Sequence, residues 1–132
     1  MATLNIVESA TTPLASRSRS QALTANRIQD IDLTGASAIP DSTTNQLLNV
    51  AWVRAQLAGI YIVSDQVVTI KSNSSGSPDD TLVLAANVPV HWYPARYHTK
   101  PFATADVTKL YVTNASGQPA NITGYVADDA TP

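Results

Sequence analysis

The chain has 132 residues and no cysteine. Disulfide scaffolds, thiolate zinc sites and cysteine nucleophiles are therefore excluded. Charge is scarce too: 14% of residues are charged and the formal net charge is -2. Ser, Thr, Asn, Gln and Ala must cover most of the surface. The 8 lysines and arginines are scattered, with only Arg17 and Arg19 close together, which leaves no stripe for tracking nucleic-acid phosphates. The one glutamate, Glu8, removes any Glu-based acid–base pair. No apolar run reaches membrane-spanning length, and the first eight residues lack the basic start and apolar stretch of a signal peptide. The expectation is a single domain made in a cytoplasm, with no nucleic-acid or membrane partner.

Catalytic motifs are missing as well. There is no Gly-x-Ser-x-Gly elbow, phosphate loop or His-Glu-x-x-His. Two histidines, His91 and His98, cannot build a three-histidine zinc site. A pairing of either with Asp79 or Asp106 is outweighed by the plainer reading of surface or interface histidines. Asp79-Asp80 has no calcium-loop spacing, so local hydrogen bonds from Asp80 or Thr81 in a turn are expected instead. Asn73-Ser74-Ser75, Asn114-Ala115-Ser116 and Asn121-Ile122-Thr123 match the glycosylation pattern and read as chance matches. The sequence thus predicts a non-enzyme with no catalytic residue, no metal and no cofactor.

What is present is alternation. Lys109–Asn114 and Ala120–Val126 flank the turn-rich Ala115-Ser116-Gly117-Gln118-Pro119, which reads as a β-hairpin. Leu110, Val112, Ile122 and Val126 form its apolar face, and Tyr111, Thr113, Thr123 and Tyr125 a hydroxyl-rich opposite face. Strands are also predicted over Gln21–Leu33 with a bend near Asn26, Ile60–Val63, Gln66–Ser72, Thr81–Leu84 and Val88–Trp92. In the last of these Val88, Val90 and Trp92 face inward, and Pro89 demands a sheet edge or a bulge. Residues 46–58 are ambiguous: Thr43 or Thr44 with Gly59 would bound a helix. A strand through about Val53, then a turn at Ala55–Gly59, suits the neighbouring strands better. Short strands at close spacing predict an all-β antiparallel sandwich, jelly-roll or Greek-key-like, over residues 21–132.

Residues 1–20 read as an extended N-terminal arm, from the Leu4/Ile6 alternation to the polar Ser16-Arg17-Ser18-Arg19-Ser20. It is either a mobile terminus or an extension ordered by a neighbouring subunit. The loop Tyr93–Asp106 holds Tyr93, Arg96, Tyr97, Lys100 and Phe102. Trp92 and Phe102 are assigned to the core, and Tyr93, Arg96 and Tyr97 to an aromatic contact surface. With Arg17, Arg19, Tyr111, Thr113, Thr123 and Tyr125, they complete the candidate contact residues.

Once the strands are laid out, Gly59-Ile60-Tyr61-Ile62-Val63-Ser64-Asp65-Gln66-Val67-Val68-Thr69-Ile70-Lys71-Ser72-Asn73 resembles a stretch of small virion structural proteins of tailed bacteriophages. Pro78–Leu82, Val88–Trp92, Pro101–Thr108 and Leu110–Ala115 share the resemblance, which covers about the last 75 residues. It implies a β-sandwich decoration (cement) protein on the phage head surface, with the major capsid protein as partner. It also implies a homo-oligomer, commonly a trimer. Tail, fibre and neck components use similar sandwiches, and a carbohydrate- or receptor-binding module built on the tyrosines is the competing class.

Overall fold

The structure, a computed structural model, describes residues 2–11, 16–25, 27–94 and 100–129. Ten strands are present among them: β1 (Ala2–Thr11), β2 (Ser16–Ala25), β3 (Arg27–Leu33), β4 (Thr43–Leu48), β5 (Leu57–Ser64), β6 (Val68–Ser72), β7 (Thr81–Leu84), β8 (Val90–Trp92), β9 (Leu110–Asn114) and β10 (Ile122–Asp128). Strict alternation makes several of them obvious. In β6 Val68, Ile70 and Ser72 point inward, and in β9 Leu110, Val112 and Asn114 do. Such a pattern leaves one face of each sheet apolar, and two such faces must cover one another.

They do so as two four-stranded antiparallel sheets, β3-β10-β5-β8 and β4-β9-β6-β7. β3 pairs with β10, β4 with β9, β5 with β8 and β6 with β7. The chain therefore runs as one long hairpin with its tip between β6 and β7. That hairpin is wound so that β10 meets β5 and β9 meets β6. This is the strand order of a jelly roll. The core between the sheets contains Ile31, Trp52, Ile60, Ile62, Val68, Ile70, Leu84, Phe102, Leu110, Val112, Ile122 and Val126. Each such side chain contributes roughly 1.5–3 kcal/mol by leaving water.

The winding corrects one expectation. Residues 109–126 do not form a hairpin, because β9 and β10 belong to different sheets. The connection is an arch. Asn114, fully buried, donates its amide Nδ2 to the carbonyls of Ile39, Pro40 and Gln118 at 3.0, 3.2 and 2.8 Å, and its Oδ1 accepts the Ser116 N–H. Gly117 takes a positive φ of 91°, and Ala120 exchanges backbone hydrogen bonds with Ile39. These bonds pull the chain across the sandwich rather than back along β9. The apolar face is as the alternation predicts, since Leu110, Val112, Ile122 and Val126 are all buried.

Residues 46–58 are not helical beyond a single 3-10 turn at Arg54–Gln56. β4 ends at Leu48, earlier than Val53, and Trp52 continues the extended path as a bridge to Val107. Val88 lies before β8 and is 56% exposed, so it does not face inward. Pro89 fronts an edge strand, as its missing N–H requires. The predicted strand over 21–33 divides: β2 ends at Ala25 in one sheet and β3 starts at Arg27 in another.

The N-terminal segment is a two-stranded ribbon. β1 and β2 pair without interruption from Ala2↔Ala25 to Thr11↔Ser16. β2 touches the sandwich at β5. Ala25 at the end of β2 and Gly59 in β5 are both buried.

Candidate contact surfaces

The outer face of the β3-β10-β5-β8 sheet carries an aromatic row. Register places Asp30 opposite Tyr125, Tyr125 opposite Tyr61, and Tyr61 opposite His91. The Tyr61 and Tyr125 rings stack at 6.0 Å with an interplanar angle of 16°. His91 meets Tyr61 edge-on at 5.3 Å and Tyr93 at 5.4 Å. The Tyr125 hydroxyl and His91 Nε2 are 3.5 Å apart. Burial lowers the pKa of His91 and, aided by Tyr61 and Tyr93, raises that of Tyr125. Both shifts favour the neutral form of each group near pH 7.

The other outer face, on β4-β9-β6-β7, is built differently. Leu47, Tyr111, Lys71 and Thr81 lie on one register row. Thr113, Thr69 and Val83 lie on the next. Lys109 stands over the Tyr111 ring at 5.8 Å, and the Thr113 hydroxyl accepts the Asn45 N–H at 3.0 Å. Leu47 and Val83 are exposed there.

The candidate residues are therefore dispersed. Tyr111 and Thr113 face out from one sheet, and Thr123 and Tyr125 from the other, so they do not make one face. Alternation shows which residues share a side of a strand but not which sheet the strand joins. Tyr93 is fully buried, which corrects its assignment to the surface. It packs on His91 at the end of the aromatic row, where outward-facing positions are covered. Arg17 and Arg19 lie on β2, opposite Ala10 and Glu8 of β1. Arg96 and Tyr97 fall outside the described residues, as does His98. Tyr61 joins the row without being among the residues the sequence singles out. Its outward position between Ile60 and Ile62 was the available signal, and only the register shows that it meets Tyr125 and His91.

The loops at the two ends of the sandwich are pinned by side chains. Asn73, at a φ of 67°, donates its Nδ2 to Asp79 Oδ2 and to the Asp106 carbonyl at 2.6 and 2.8 Å, and accepts the Thr108 N–H at 2.8 Å. The Asp80 carboxylate accepts the N–H and hydroxyl of Thr104 at 3.0 and 2.7 Å. Those bonds bridge two loops, and so are not the local turn bonds expected of Asp80. Asp106 accepts the Arg54 N–H at 2.9 Å. Lys100 donates to the Arg54 carbonyl and stands over the Trp92 ring at 5.1 Å. Trp92 packs against the core, and Phe102 is buried in it, edge-on to Trp52 at 5.8 Å. At the opposite end Asp65 accepts the backbone N–H and Nδ2 of Asn121, both at 2.8 Å, which lowers its pKa. All three asparagines of the glycosylation matches thus have their amide groups in hydrogen bonds to other residues of the chain. A glycan on any of them would have to displace those bonds.

Among the described residues no group of three or more His, Cys, Asp or Glu side chains is arranged to hold a metal ion. Nor is any helix long and apolar enough to cross a membrane. Fold and surface together define an all-β jelly roll with two unlike outer faces and an N-terminal ribbon. No protein-family model, curated protein or solved structure matches the chain.

Proposed function

We propose that this chain is a non-enzymatic structural protein of a tailed-phage virion, a decoration (cement) protein that bridges major capsid subunits on the head surface. One observation carries the reading: a self-contained jelly-roll body bears an N-terminal ribbon that lies in neither of its sheets. The sequence resemblance described above supplies the virion context. Cementing needs contact and no bond-making chemistry. A small body that touches two or three neighbouring subunits adds binding free energy that must be lost before they part. Each buried apolar contact contributes roughly 25 cal/mol per Å², less the costs of association. Attachment to a fixed lattice raises the effective concentration of every further contact, so individually weak contacts suffice.

Deleting residues 2–19 and measuring occupancy on expanded capsids tests the proposal. Occupancy should fall sharply while the sandwich stays folded; undiminished binding contradicts it. The aromatic row Tyr125–Tyr61–His91 favours a second reading, a carbohydrate- or receptor-binding module. A glycan array separates the two, because a cement protein binds capsids and ignores sugars.

A further inference from the structure

Every edge of the jelly roll is blunted. β8 has 3 residues and follows Pro89, and β7 has 4. β4 carries a register shift between Thr43 and Gln46. β3 presents the exposed Asp30 and Asp32. Short strands, proline, bulges and charge are the devices that stop an unpaired edge from capturing another strand. β1 has almost none of them. It runs 10 residues with unbroken register, contains no proline, and has Glu8 as its one charged residue. Its ribbon partner β2 carries Arg17 and Arg19 and rests against β5. Among the described residues, the second edge of β1 pairs with no strand.

A two-stranded ribbon by itself is marginal in water, whereas three or more strands can be stable. We infer that the free edge of β1 is a self-association site, and that its occupant is β1 of a second copy laid antiparallel to it. The two ribbons then merge into one four-stranded sheet, β2-β1-β1-β2. This contact is isologous, so it closes at two copies and cannot propagate. The sequence of β1 is compatible with pairing to itself. Centred on Ile6, the antiparallel register sets Glu8 opposite Leu4, Val7 opposite Asn5 and Ser9 opposite Thr3, so no like charges meet. A second copy also brings, by identity, the unprotected edge that any other partner would have to supply. The inference does not rest on the capsid reading, and its two-copy contact departs from the trimer that the sequence resemblance implies.

The absence of cysteine makes a reporter simple to place. Ile6→Cys puts one thiol at the centre of β1, and Val83→Cys puts one on β7 as a control. In the full chain under mild oxidation, I6C should cross-link into a two-chain species at least tenfold faster than V83C. Light scattering on the unmodified protein should give the mass of two chains at high concentration. The double substitution Asn5→Lys with Val7→Lys sets lysines opposite one another across the pair. It should weaken association at least tenfold and leave sandwich unfolding unchanged. A single-chain mass at every concentration, a three-chain mass, I6C cross-linking no faster than V83C, or association indifferent to the lysines would each overturn the inference.

Discussion

The sandwich and the ribbon meet the same physical problem, unpaired backbone at a strand edge, in opposite ways. In the sandwich the edge strands are short, bulged, fronted by Pro89 or charged. In the ribbon a 10-residue strand is left plain. A two-sided core makes the sandwich self-sufficient, while a two-stranded ribbon by itself is marginal in water. On the proposals made above, that difference separates two jobs: the sandwich holds a shape, and the ribbon finds a neighbour.

Damage to the sandwich should be severe and should unfold the body. The largest effect is expected for Val112→Asp, which places an uncompensated carboxylate in the fully buried core. Thermal and urea unfolding should show no folded baseline, a loss of at least ~4 kcal/mol. Gly124→Ala comes next. A Cβ there would lie 1.9 Å from the Tyr61 carbonyl oxygen and 2.8 Å from its carbon, both rigid backbone atoms of the neighbouring strand. β10 and β5 would have to separate, at about 3 kcal/mol or more by the same unfolding assay. Asp128→Ala is milder. Asp128 is fully buried and accepts two hydrogen bonds from Arg27, one at 2.9 Å from Nε. The partner guanidinium is 45% exposed and can return to water, so a loss of about 1–3 kcal/mol is expected.

The pH dependence should be smaller still, and it divides the sandwich into its parts. Burial holds the folded pKa of His91 below the 6.5 of the free side chain. Its contribution is thus complete above pH 6.5 and fades as pH falls from there through the folded value. His91→Gln should flatten the decline in melting temperature between pH 7 and 5. Asp65, lowered by its bonds to Asn121, contributes fully above its unfolded value of 3.8 and loses that contribution only at more acid pH. Asp65→Asn should therefore reduce the acid sensitivity below pH 4 and leave the pH 5–7 range unchanged.

Much of the sandwich was legible because alternation is a local property. Val68/Ile70, Leu110/Val112 and Ile122/Val126 declare a buried face within five residues of chain. Pro89 likewise announced an edge strand through the hydrogen bond it cannot donate. Sheet membership was not legible, because it depends on bonds between distant residues. Asn114 reads as an ordinary turn residue until its contacts with Ile39 and Pro40 are seen. Tyr93 reads as exposed in a loop until its burial beside His91 is seen. The aromatic row is legible one tyrosine at a time, and the register alone assembles it.

The central claim is that binding belongs to the ribbon and shape to the sandwich. Hydrogen exchange on free protein at low and high concentration, and again on capsids, tests it most directly. Residues 2–11 should gain protection on association while β5, β6, β9 and β10 keep the protection they already have. Exchange at residues 2–11 that is the same in every state, with new protection confined to the sandwich faces, would contradict it.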